Sequence, residues 1–253
     1  MSKLHVRHVA AALEQRFASL IDLDDVASAG EEQRKQTFLT RALAAQALQR
    51  VSGVDDAAAA AAVTDGSGDN GIDAVYVDSY DTVALVQSKW STSGTGGIGL
   101  GETRNFIAGL KDLTDERYDR FNAKFQAHVP DLQAALLNPE VNFVMVVATT
   151  GTAAFADPVT RAFADMESEL NDGPTPPVRV ESFGLADFHG SLTSATEGQP
   201  IDLQVTLENW GVVTEPFEAY YGTFRLMLSP RGSLPPAMRC SNRTSGSLLG
   251  PPP

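Results

Sequence analysis

The 253-residue chain is 43% hydrophobic and 20% charged, with a formal net charge of −13. Those proportions fit a soluble globular protein with one sizeable core, and no apolar run is long enough to cross a bilayer. The acidic balance argues against a protein that grips nucleic acid with its whole surface, although screening over about 10 Å leaves room for a local basic groove. The single cysteine, Cys240, excludes an internal disulfide framework and a cysteine-based zinc site, so a cytoplasmic location is expected.

In chain order, residues 3–20 read as an amphipathic helix rather than a secretory signal. A second helix is predicted over 31–51, with Phe38, Leu39, Ala42, Leu43, Ala47 and Leu48 at helical spacing and Gly53 ending it. Asp55 or Asp56 can cap a short alanine-rich helix at 57–63. The polar run 64–71 (TDGSGDNG) is a tight loop, followed by strands at 72–78 and 82–90 joined through residues 79–81. A glycine-rich loop, 94–101, leads into a helix at 102–113, and one further helix is expected over 118–137, with Pro130 a point of interruption.

Residues 141–149 (VNFVMVVAT) are apolar almost throughout, as in a strand covered on both faces. A helix with Phe155, Val159, Phe163, Met166 and Leu170 on one stripe follows, then strands at 178–183 and 201–207. This order predicts an α/β domain with a mixed sheet flanked by helices. From Thr223 onward there are four arginines, no Asp, Glu or Lys, and several prolines, so residues 223–253 are expected to be a disordered tail. The domain itself is then expected over 31–222, behind an N-terminal helix and connection at 1–30.

The chemistry centres on the predicted hairpin. Gln87 and Lys89 are two apart on one strand and share a face. With a three-residue turn at 79–81, opposed positions sum to 160, which sets Asp73 across from Gln87 with Cβ atoms about 5 Å apart. A two- or four-residue turn would send Asp73 to the other face. A carboxylate, an amide and an ammonium so placed suit phosphodiester hydrolysis. Asp73 offers hard oxygen to Mg²⁺ or Mn²⁺, Gln87 and the Ser88 carbonyl are weaker ligands, and Lys89 orients water or stabilises transition-state charge.

The runs DGSGDNGIDAVYVD and VALVQSKWS resemble the nuclease-like N-terminal region of AIPR-type abortive-infection (phage-resistance) proteins. More distantly they resemble Mrr-type restriction endonucleases, which pair a G-[IV]-D strand with a Q-x-K strand. The resemblance implies a restriction-endonuclease-like fold of the PD-(D/E)xK class and a metal-dependent endonuclease acting on DNA in anti-phage defence. It assigns Asp73 to the metal-binding aspartate, Gln87 to the position held elsewhere by Glu or Asp, and Lys89 to the catalytic lysine. DNA is the expected partner, with no membrane. A homodimer is allowed.

Two departures stand out. Such nucleases often carry a further acid on the preceding helix, yet 38–51 has none, and Glu31 and Glu32 at its start more simply favour the helix dipole. AIPR-type proteins also continue well past a segment such as EAYYGT, so the tail from about Thr223 is expected to be a frameshifted or truncated remnant. The rival expectation is a non-catalytic nucleic-acid-binding or regulatory remnant.

Other signals carry less. Arg104 and Lys111 share a helix face and are the candidate DNA-backbone contacts, with Arg117, Arg120 and Lys124 continuing the stripe. The 94–99 loop satisfies GxGxxG but lacks the surroundings of a dinucleotide site. His5 and His8 lie three apart on a helix without evident further ligands, and His128 and His189 look isolated.

Overall fold

The computed structural model describes residues 3–79, 81–171, 177–197, 208–213 and 219–223. They form two compact units, 1–199 and 200–253.

In the first unit, helix α1 (Lys3–Phe17) buries Val6, Val9, Leu13 and Phe17 along one face. Helix α2 (Glu31–Ser52) is buried nearly all round from Phe38 to Leu48 and stops at Gly53, whose φ of 72° ends the helix in the left-handed conformation. The Asp55 carboxylate accepts from the Ala58 N–H at 2.8 Å and caps the short α3 (Asp56–Ala61).

Strands β1 (Ala74–Asp78) and β2 (Thr82–Lys89) make the antiparallel hairpin, with Asp78 opposite Thr82 and Ala74 opposite Val86. This is the register derived from a turn at 79–81. Strands β3 (Asn142–Thr149) and β4 (Val178–Phe183) add in parallel, giving a four-stranded mixed sheet in the order β1-β2-β3-β4. The α/β class and mixed sheet expected from the sequence are therefore present.

Alternation along the strands sorts the core into two clusters. One holds Ala74, Ala84, Val86, Val144, Val146 and Ala148 with α1, α2 and α3. The other holds Val75, Val83, Leu85, Phe143, Met145 and Val147 with α4 (Leu100–Thr114), α6 (Val129–Leu136) and α7 (Asp157–Leu170). Helices thus flank both faces, and α1 belongs to this core instead of standing ahead of a domain that begins at 31.

One expectation needs correction, and one element was not foreseen. The helix expected over 118–137 is broken into a 3₁₀ turn at Tyr118–Arg120, a four-residue α5 (Ala123–Gln126) and α6. Phe121 turns extended, and the Asn122 side chain caps α5 by accepting from the Phe125 N–H at 3.0 Å. Pro130 sits in the first turn of α6, where its missing N–H costs nothing. An unexpected helix, α8 (Leu185–Glu197), follows β4, with Leu185, Phe188 and Leu192 packed in the α1–α2 cluster.

The second unit contains an antiparallel pair, β5 (Glu208–Val213) and β6 (Ala219–Thr223). The strand expected at 201–207 and the tail at 224–253 lie outside the described residues. Among those described, no helix is long and apolar enough to cross a membrane.

The loop before β1 is seated directly on α4. A Cβ on Gly109 would lie 2.4 Å from the Asn70 carbonyl oxygen, whereas one on Gly101 of the same helix would meet nothing within 4 Å. Gly109→Ala should therefore destabilise by about 1–3 kcal/mol through overpacking against backbone. Gly101→Ala should be neutral or stabilising by up to about 1 kcal/mol from helix propensity. Urea melts of the two variants beside the wild type check both signs.

Candidate metal centre

Asp73 lies one residue before β1, and its N–H donates to the carbonyl of Val86 at 2.8 Å, the residue that already opposes Ala74, so the regular register ends at Ala74. Its carboxylate nevertheless meets both Gln87 and Ser88. Asp73 Oδ2 accepts from Gln87 Nε2 at 2.9 Å, from the Ser88 N–H at 2.6 Å and from the Ser88 hydroxyl at 3.0 Å. The Ser88 hydroxyl also stands 3.1 Å from the Thr40 carbonyl of α2, which ties the carboxylate to that helix. Asp73 is 3% exposed and forms the floor of the site.

What Ser88 presents to Asp73 is thus its two donors, whereas the sequence reading assigned its carbonyl to a metal. Gln87 likewise meets Asp73 through its amide N–H₂. Lys89 follows on the same strand face as Gln87, but its ammonium is held by Glu102 Oε1 at 2.6 Å, with both side chains about half exposed. Glu102 is itself fixed because its other oxygen accepts from the Gly99 N–H at 2.7 Å at the start of α4. The glycine-rich loop therefore delivers a carboxylate to Lys89, a partner not foreseen from the sequence.

Two more acids were missed. One carboxylate oxygen each from Asp65, Asp69 and Asp73 lie within 4.8 Å of one another, a group that can hold a metal ion. The loop that carries them is built to bring them back to the hairpin. The N–H groups of Thr64 and Asp65 both donate to the Asp73 carbonyl, at 2.8 and 3.0 Å. Asp69 folds the loop on itself by accepting from Gly66 and Gly71 N–H groups, and Asn70 takes a left-handed φ of 54° at the turn. The DGSGD spacing was the available signal, but aspartates in glycine-rich turns commonly do no more than stabilise the turn. The helix-borne acid sought in α2 is not supplied by Glu31 or Glu32, which are exposed in its first turn; the loop supplies carboxylates instead.

Electrostatics at this cluster favour an added cation. Burial, reinforced by the charge of Asp65, pushes the Asp73 carboxyl well above the ordinary carboxylate range. Asp69 is raised as well, again chiefly by burial. The counter-charge already present is Arg41 of α2, 1% exposed, whose Nε donates to Asp65 Oδ2 at 2.8 Å. Burial alone would depress the Arg41 guanidinium, but hydrogen bonds and charge from Asp25 and Asp65 hold it above the usual arginine value.

The expected nucleic-acid contacts are less free than the sequence suggested. Arg104 is exposed on α4 and, two residues from Glu102, lies about 200° around the helix from it. Lys111 is paired with Glu169 at 2.6 Å on the surface. Arg117 and Arg120 both reach Asp112, and Lys124 reaches Asp22, so the basic stripe is largely matched by acids. Beside Lys89, across the β2–β3 pairing with Thr149, a largely apolar cavity of about 240 Å³ opens between Ile98, Phe155 and Phe183. No known protein family, curated protein or solved structure matches the chain.

The raised acids set the sign of a pH effect. Between the unfolded and folded values the native state holds more protons at Asp69 and Asp73, so stability falls as pH rises through the folded values. The depressed acids act elsewhere: Asp25, held by Arg41 at about 2, loses its contribution only as pH falls from the normal 3.8 toward 2. The depressed imidazoles of His128 and His189 oppose the trend below their normal value, and they are common to wild type and an Asp69→Asn variant. In chelator, the Tm advantage of Asp69→Asn over wild type should therefore grow as pH rises above the ordinary carboxylate value. Saturating Mn²⁺ should remove that advantage by stabilising wild type alone. A second expectation concerns the counter-charge: Arg41→Met leaves Asp25 and Asp65 without their partner and should cost about 3–5 kcal/mol in a denaturant melt.

Proposed function

We propose that the unit of residues 1–199, with α1 in its core, is a divalent-metal-dependent nuclease domain of the PD-(D/E)xK type, acting on DNA in the manner of the AIPR proteins that its hairpin resembles. The observation that carries this reading is the side-chain contact of Asp73 with Gln87, to which the 64–71 loop returns Asp65 and Asp69. Carboxylate oxygen is the donor type that suits Mg²⁺ or Mn²⁺ over softer ions. A hard divalent ion bound there would neutralise charge on a phosphate oxygen and make a water molecule more acidic.

The chain's own residues then have distinct parts. Asp65 and Asp69 are half-buried and Asp73 is buried, so Asp73 anchors the group from within. Gln87 holds the Asp73 carboxylate in place from across the hairpin. Lys89 carries the positive charge that meets a phosphate next to the acids, and its present partner Glu102 keeps it at the α4 end of the strand. Arg104 and Lys111, on one face of the same helix, would contact the DNA backbone away from the reacting phosphate. An anti-phage role follows from the resemblance alone.

One observation favours a second reading. Asp73 has little exposure and its Oδ2 already accepts three hydrogen bonds, which also suits a non-catalytic nucleic-acid-binding or regulatory remnant whose acids hold the loop together. The two readings separate on supercoiled plasmid and phage DNA. A nuclease should nick both with Mn²⁺ or Mg²⁺ and not in chelator. Asp73→Ala and Lys89→Ala should each reduce the rate by about 100-fold or more while Lys89→Ala keeps its melting profile. Salt-sensitive DNA retention without cleavage, indifferent to chelator, would favour the binding remnant. Undiminished cleavage by Lys89→Ala would remove that residue from the mechanism.

A further inference from the structure

The geometry points to a second, chemically different cation site at the contact of α1 with α8: one borderline divalent ion of the Zn²⁺ class, held by His8 Nδ1 and His189 Nε2. The two nitrogens are 3.4 Å apart and come from residues 181 positions apart in the chain. That separation is long for a hydrogen bond between ring nitrogens, which favours about 2.9–3.0 Å. It matches two tetrahedral ligands: with Zn–N distances of about 2.0–2.1 Å, neighbouring nitrogens fall about 3.3–3.4 Å apart.

A third imidazole packs against the pair without forming a three-residue ligand group with it. His5 lies one helical turn before His8 on α1, and its ring packs on His189 with centroids 4.3 Å apart. His8 and His189 are themselves stacked, with centroids 5.6 Å apart and planes 20° from parallel. Three of the four histidines in the chain thus converge where two helices meet. The sequence hid this, because His189 is remote from the His5–His8 pair and α8 was not foreseen.

Donor type separates this site from the acidic one. Imidazole nitrogen selects Zn²⁺, Ni²⁺ or Co²⁺, whereas the three aspartates suit Mg²⁺ and Mn²⁺. The elements differ too: the loop, β1 and β2 carry the aspartates, and α1 and α8 carry the histidines. The site stands independently of the nuclease reading. Its physical effect is a clasp, since an ion that binds only the folded chain stabilises it by mass action.

The test uses the full chain without a histidine tag, stripped of metal, titrated with Zn²⁺ by calorimetry and followed by thermal melting. We expect one Zn²⁺ site that raises Tm, survives Asp69→Asn, and is not reproduced by Mg²⁺ at the same concentration. His8→Ala and His189→Ala should each weaken that site by roughly ten-fold or more, without changing the metal-free melt of His8→Ala, whose side chain is exposed. Failure of wild type to bind Zn²⁺, or Zn²⁺ binding unchanged in His8→Ala, would overturn the assignment. Should His189→Ala lose its fold, His8→Ala carries the decision.

Discussion

The arrangement of the acids depends on one buried guanidinium. All five N–H groups of Arg41 are used: Nε on Asp65, one terminal nitrogen on Asp25 and the Asp22 carbonyl, the other on Asp25 and the Asp65 carbonyl. A fully desolvated charge is tolerated only when paired and completely hydrogen-bonded, and here both conditions hold. The consequence is geometric as much as energetic. Helix α2, the 22–25 segment and the start of the 64–71 loop are pinned to a single planar group, so Asp65 enters the loop from a fixed point. Asp69 and Asp73 then inherit their places from the turn and from the hairpin.

The second support is a seam of small side chains. Ala74, Ala84 and Ala148 on the sheet belong to one apolar cluster with Ala42, Ala44, Ala45 and Ala47 of α2. Short side chains on both surfaces let the helix backbone approach the sheet. That approach is what allows the Thr40 carbonyl to reach the Ser88 hydroxyl, and through it to hold Asp73. The opposite face is filled by Phe106, Phe125, Phe143 and Phe163, and positions α4, which carries Glu102 to Lys89.

How much of this was legible follows from where each contact arises. The hairpin register was readable as far as Ala74 and Val86 because a three-residue turn and an alternating apolar pattern determine it locally; Asp73 departs from it by one residue and meets Gln87 through its side chain. The Lys89–Glu102 pair was not, because the glycine-rich loop between them has no periodicity to set its path. Asp65 and Asp69 look like ordinary turn residues, and Arg41 looks like an ordinary helical arginine; only burial turns them into a cluster. The expected helix at 118–137 failed for a related reason. Arg117 and Arg120 fold back on Asp112, whose side chain also accepts from Asn70, and Asn122 starts a new helix. Helix α8 did have a sequence signal in the spacing of Leu185, Phe188 and Leu192.

Strand β1 closes one side of the sheet, and that has a bearing on self-association. Unpaired strand backbone invites another chain to add on. Here the start of β1 is already occupied, because Val75 donates its N–H to the Ala62 carbonyl at 2.9 Å and Val63 bridges Ala74. At the other margin of the sheet, β4 places the charged pair Arg179 and Glu181 along its length, joined at 3.0 Å. Within this unit, sheet-to-sheet polymerisation is thus opposed at both borders, by occupancy at one and by charge at the other.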